Sequence, residues 1–96
     1  TSKIIMGEVY FDLNKGVLIK NDKVIKITST EMTLLKIFAN QPGETIARHK
    51  LCEETGVSER SIDVQVTRLR KKIEIDPKNP RFLQTVWGAG YSLIPD

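Results

Sequence analysis

A chain of 96 residues with 40% hydrophobic side chains is one domain with a modest core, since compact domains typically hold about 100–150 residues. Its one cysteine, Cys52, excludes an internal disulfide and suits the reducing cytoplasm, no apolar run approaches the roughly 18 residues of a membrane span, and no secretory signal opens the sequence. The net charge of +3 points weakly to an anionic partner, and a first residue of Thr1 rather than Met leads us to expect a piece of a longer protein.

Residues 1–27 read as strands. Ile4 to Met6, Val9 to Leu13, Val17 to Lys20 and Val24 to Ile27 are rich in Val and Ile, with turn residues between them. Asn14-Lys15-Gly16 and Asn21-Asp22 are the turn signals, and Asn-Asp tolerates the positive φ of a tight hairpin. A small antiparallel sheet of three or four strands is expected, too small to stand without packing on something.

Residues 28–76 change period and predict three helices. Thr28 and Glu31 make a T-x-x-E capping box, and Met32, Leu34, Leu35, Ile37, Phe38 and Ala39 then form a broad apolar face. Gln41-Pro42-Gly43 ends that helix. Thr45 and Ile46 are a short extended link. The second helix runs from about Arg48 to Glu54, begins without a good cap at Ala47, and stops at Gly56. After a very short turn the third helix runs from Ser58 or Glu59 to Ile75, closed by Asp76-Pro77. Two helices joined by a tight glycine turn form a helix-turn-helix pattern.

Residues 81–95 read as a wing. Arg81 to Trp87 and Tyr91 to Ile94 are strands, with Gly88-Ala89-Gly90 as the hairpin loop. That G-x-G has no third glycine and no following helix, so it is not a phosphate-cradling loop. The fold class expected is α+β, a winged helix-turn-helix.

The third helix carries the chemistry. At about 100° per residue, Ile62, Val66, Leu69 and Ile73 fall within roughly 60° of arc and form a core-facing seam. Val64 and Lys71 lie across from it, with Arg60, Thr67 and Arg68 on the same outer half. Gln65 and Arg70 flank the seam, and Ser61 and Lys72 lie on the other side. Between Arg60 and Lys72 stand five basic residues and one acid, Asp63, while charge over the rest of the chain nearly cancels. A local positive field of this kind is a nucleic-acid footprint. In a major groove Val64 can pack on a thymine methyl and Arg68 can read guanine. The N-terminal part of such a helix faces base edges, so Val64, Thr67 and Arg68 are assigned to base readout. Arg60, Arg70, Lys71 and Lys72 are assigned to backbone phosphates. The bland alternative is a solvated basic helix.

The run Glu59 to Arg70, followed by Asp76-Pro77, Pro80-Arg81-Phe82 and Gln84-Thr85-Val86-Trp87-Gly88-Ala89-Gly90-Tyr91, closely resembles the C-terminal effector domains of OmpR/PhoB-type response regulators. The resemblance spans the whole chain and is most specific in its C-terminal half. It implies a four-stranded N-terminal sheet, three helices and a hairpin wing, with the third helix in the major groove of double-stranded DNA. It also implies tandem half-sites bound head to tail, a phosphorylated receiver domain that these residues do not include, and RNA polymerase as a further partner. The link at about Thr55 to Ser58 is shorter than usual in the family, which puts a polymerase contact through it in doubt. Thr85 matches a position that touches the DNA backbone, and Ser61 and Gln65 join the backbone set. Trp87 stands where many members carry arginine. It either packs on sugar and backbone or belongs to the wing's own core.

Two other classes are weighed. His49 and Cys52 sit three apart on the second helix, but zinc needs about four ligands and a Cys/His nucleophile needs a cleft and an orienting group. No metal, cofactor or enzymatic activity is expected. His49 is read as a surface residue near a phosphate and Cys52 as a semi-buried hydrophobe. A winged-helix protein-interaction domain is the stronger rival, although such domains lose the basic outer face.

Overall fold

A computed structural model describes residues 3–96. Thr1 and Ser2, within the expected sheet region, lie outside the described residues. Four short strands open the fold: β1 (Lys3–Met6), β2 (Val9–Asp12), β3 (Val17–Lys20) and β4 (Lys23–Ile25). They pair antiparallel in sequence order. Asn21 and Asp22 both adopt left-handed φ, 50° and 63°, so Asn-Asp makes the tight hairpin expected of it. Asp12 closes the preceding turn by accepting the N–H groups of Asn14 and Lys15. The row Ile4–Phe11–Leu18–Ile25 lies across one face of the sheet, with Phe11 and Leu18 fully buried.

Helix α1 (Ser29–Asn40) begins with the expected capping box. The Thr28 hydroxyl accepts the Glu31 N–H at 3.1 Å, and the Glu31 carboxylate accepts the Thr28 N–H at 2.8 Å. Leu34, Leu35, Phe38 and Ala39 are buried. Helix α2 (Arg48–Thr55) starts at Ala47 with no side-chain cap and ends at Gly56, whose φ of 76° is the left-handed stop. Helix α3 (Glu59–Ile73) follows after three residues, with the Ser58 hydroxyl accepting the Ser61 N–H. Ile62, Val66, Leu69 and Ile73 are its buried residues, the same four that the helical period selects.

Three features differ from expectation. Thr45–Ile46 is not a bare link but a strand, β5, in a second sheet with β6 (Leu83–Val86) and β7 (Gly90–Leu93), ordered β5-β7-β6. Gly90 permits it: a Cβ there would stand 2.0 Å from the Ile46 carbonyl oxygen. The glycine therefore serves strand approach as well as the turn. Secondly, α3 ends at Ile73, and Ile75 is left 88% exposed. The cause is Glu74, which turns extended and whose buried carboxylate accepts the N–H groups of Arg81, Phe82 and Leu83. It satisfies the backbone entering the wing at the cost of two further helical residues.

The third difference concerns Lys72. Its ammonium does not point at a partner outside but donates to both Glu31 oxygens, at 2.7 and 3.0 Å. The Glu31 side chain is 1% exposed and the Lys72 side chain 29%. A buried carboxylate without its cation is costly, so this pair rivets α1 to α3. Burial pushes the Glu31 carboxyl up, but Lys72 and the Thr28 N–H, both bonded to the charged form, together hold it below its ordinary value. A depressed carboxyl contributes stability above the ordinary carboxylate range, and that contribution is lost as pH falls through it. Lys72→Ala should cost about 3 kcal/mol of stability in urea unfolding at neutral pH, and the loss should shrink toward acid pH, as the carboxyl of Glu31, buried and without its cation, takes a proton. A cost under about 0.5 kcal/mol at neutral pH would mean the pair is only a surface ion pair.

Candidate nucleic-acid interface

With its seam buried, α3 presents one outer face. Arg60, Thr67, Arg68 and Lys71 are exposed, and Val64 is 43% exposed among them. With Asp63 they line a shallow depression of about 350 Å³. Thr67 donates its hydroxyl proton back to the Asp63 carbonyl at 2.9 Å, which leaves its oxygen lone pairs and methyl available outward. The helix carries Glu59 in its first turn and Arg70, Lys71 and Lys72 in its last, charges that complement the macrodipole.

The cations on this helix divide. Lys72 is spent on Glu31, and Arg70 is also turned inward. Its Nε donates to the Leu83 carbonyl at 2.9 Å, its Nη2 donates to the Thr85 hydroxyl at 2.7 Å, and its guanidinium lies 5.7 Å from the centre of the Tyr91 ring. The phosphate roles expected for Arg70 and Lys72 find no support in this arrangement: both side chains bind this protein's own groups, one bracing the wing and the other α1. Gln65 is half-buried, with its carboxamide oxygen buried and unpartnered among the described residues, so it too is turned from the open face. Ser61 is half-buried in the first turn. Arg60, Arg68 and Lys71 remain as the exposed cations of the stretch.

The wing stands beside this face. Thr85 is half-buried on β6 and accepts from Arg70. Trp87, at the hairpin, is 91% exposed, which overturns the alternative that places it in the wing's own core. A bare indole gains nothing from water and has an apolar face to offer a partner. Between the wing and the starts of α2 and α3 lies a trough of about 460 Å³, lined by Arg48, His49, Thr85, Trp87 and Ala89 among others. His49 is exposed at the uncapped start of α2, where backbone N–H groups lack side-chain acceptors. Cys52 is half-buried, and no group of three or more metal-ligating side chains occurs among the described residues.

The residues that sequence reasoning missed are those that hold this geometry. Asp63, counted above only as the lone acid, accepts the Arg48 Nε at 3.1 Å and a second Arg48 nitrogen on its other oxygen. It also accepts the Tyr91 hydroxyl proton at 2.6 Å. The signal was available: one acid on a helix face shaped for an anion needs an internal partner. Burial, reinforced by the bond to the Asp63 carboxylate, pushes the Tyr91 phenol up to about 12.

The described residues thus form a winged helix: two helices at a short turn, the second exposing a cationic face, with a hairpin beside it. Residues 22–93 match the family described as the C-terminal domain of transcriptional regulatory proteins. The chain belongs to that family, and its fold is that of OmpR/PhoB response-regulator DNA-binding domains. It is 46% identical to protein PetR of Rhodobacter capsulatus over 95% of this chain and 43% of PetR. It is 31% identical to the response regulator DrrB of Thermotoga maritima, an OmpR/PhoB homologue, with a TM-score of 0.87 over 98% of this chain and 45% of DrrB. The DNA-binding domain of the response regulator AdeR, solved in complex with an intercistronic region, is 25% identical, with a TM-score of 0.74 over 93% of this chain and 96% of that domain. The chain spans less than half the length of PetR and DrrB. No described helix is long and apolar enough to cross a membrane.

The phenol supplies a check on the geometry. A tyrosine raised in the folded state contributes stability in full below the ordinary phenol value, and loses it as pH rises through about 12. Absorbance titration should show Tyr91 ionising only near 12, and Asp63→Asn should bring that step down. A Tyr91 step that Asp63→Asn leaves in place would remove the hydrogen bond from the account.

Proposed function

We propose that this domain binds double-stranded DNA sequence-specifically, as the output domain of a two-component response regulator, with α3 in the major groove. The observation that carries the proposal is the exposed face of α3, where Val64, Thr67 and Arg68 lie between Arg60 and Lys71. Arg68, exposed and without an ion pair among the described residues, can make the bidentate contact that reads guanine, and Val64 can meet a thymine methyl. Arg60 and Lys71 flank them and position the helix on phosphates. Ser61 and Thr85 add hydroxyls at the backbone, and Trp87 lays its indole on sugar and backbone. His49 and the free N–H groups at the start of α2 face the same strand across the trough. The AdeR domain, seen on DNA, supports the same use of the fold here.

The protein-interaction alternative has no comparable observation behind it, because the basic face is intact. The chain covers less than half of two relatives, one of them a response regulator, which supports a receiver elsewhere in the same protein. In the same proposal this receiver acts in the cytoplasm and brings two copies to tandem half-sites head to tail. RNA polymerase is a further partner in this proposal, and the three-residue link between α2 and α3 puts a contact through that loop in doubt.

Affinity should fall roughly tenfold between about 50 and 200 mM salt, the response to about two neutralised phosphates, those met by Arg60 and Lys71. Anisotropy titration with a fluorescent duplex measures this, and a flat response would remove DNA from the proposal and favour a protein partner. Arg68→Ala should cost about 1–3 kcal/mol on a selected site and relax preference at one base pair. Lys71→Ala should weaken selected and random duplexes alike. Equal losses for both variants on both duplexes would refute the division into reading and positioning.

A further inference from the structure

Asp63 is the one acid between Arg60 and Lys72, on the helix that faces the polyanion in the function proposed above. A carboxylate there repels phosphate, so its presence needs a reason within the protein. The side chain is half-exposed, at 42%, and is therefore not needed to fill the core. Its contacts supply the reason. One oxygen takes both the Arg48 Nε and the Tyr91 hydroxyl proton, and the other takes an Arg48 Nη2. Arg48 opens α2, and Tyr91 is the second residue of β7. Tyr91 is paired with Thr85 on one side and with Ile46 on the other, so it sits in the middle of the wing sheet. Its ring lies beneath the Arg70 guanidinium, which in turn bonds Leu83 and Thr85 of β6.

These contacts form one chain of charge-assisted bonds, from α2 through α3 to both strands of the wing. They border the trough that separates the recognition face from Trp87. We propose that Asp63 is a positioning residue for the wing: through the Tyr91 hydroxyl and Arg48 it sets the width of that trough, and so the spacing between the bases read by α3 and the strand touched by the hairpin. The proposal rests on the DNA function above for its consequence, though not for its geometry.

The test uses the whole 96-residue chain with Tyr91→Phe, which removes only the hydroxyl, and Asp63→Asn, which keeps an acceptor for Tyr91 but gives up the nearer of the two carboxylates facing Arg48, the other being Glu59 at 3.6 Å. Leu34→Val, in the α1 core, serves as the control for stability loss remote from the wing. Nitrogen-15 relaxation should show the amide order parameters of residues 86–90 falling from the rigid value near ~0.85 toward ~0.6 in Tyr91→Phe and Asp63→Asn, with α1 unchanged. Leu34→Val should leave them rigid. If the hairpin amides stay as ordered in both variants as in the parent chain, the proposal is wrong, whether or not the domain binds DNA. The second measurement compares a long duplex with one cut back to the base pairs under α3. The advantage of the long duplex should drop about tenfold in Tyr91→Phe, the effect of losing one hydrogen bond to a charged group, with discrimination among bases under α3 retained. A loss shared equally by the two duplexes would make the contacts a matter of stability alone and would also overturn the proposal.

Discussion

The pairing of Lys72 with buried Glu31 fixes the rotation of α3, and the rest of the domain depends on that rotation. A helix turns about 100° per residue, so a slip of one position would carry Ile62, Val66, Leu69 and Ile73 out of the core and bring charge into it. Apolar burial alone resists such a slip, but it is non-directional and tolerates small adjustments. A carboxylate that already caps α1 and lies out of water accepts a cation only where the bond lengths allow. The ion pair therefore adds direction to a seam that supplies most of the energy.

Asp63 acts at the other end of the same helix and on the opposite side of the stability question. It is half-exposed, where an ion pair contributes little to folding. Its importance lies in orientation, since three elements meet at one side chain. Between them the two acids sort the cations near the interface. Glu31 takes Lys72, Asp63 takes Arg48, and the wing's own carbonyl and hydroxyl take Arg70. Counting basic residues along the sequence overstates the free charge of this face, because several of those charges serve to build it.

That division also marks what the sequence made legible. The capping box at Thr28 and Glu31, the Asn21-Asp22 hairpin and the core seam of α3 depend on neighbours within a few residues, and each is found as expected. The outward placement of Val64, Thr67 and Arg68 follows from the same period. The differences all depend on partners beyond the reach of the local period. Lys72 meets a residue 41 positions away, and Arg70 meets a strand that the local period cannot place beside it. Thr45 and Ile46 are too few to declare a strand until Gly90 brings β7 against them. The end of α3 was set by Glu74 capturing three amides of the wing rather than by Pro77, the local stop signal. On a helical wheel Lys72 and Lys71 are both lysines near the end of one helix. Only the tertiary fold separates a structural ammonium from a free one.

The small number of free cations bears on how such a domain can be regulated. Under the function proposed above, three exposed basic groups and a few hydroxyls would hold a duplex weakly at physiological salt, because each released counterion contributes less as salt rises. Weak single-site binding is a disadvantage for an isolated domain and useful for a tethered one. If two copies are joined, the second binds at an effective concentration set by the linker, and occupancy then depends on whether the joint is made. Adding Arg70 and Lys72 to the phosphate contacts would raise affinity for any sequence and make the domain less dependent on its tether. Under the function proposed above, their use inside the fold would keep non-specific attraction low, leave a larger share of the binding energy to the residues proposed to read bases, and make control of pairing a control of occupancy.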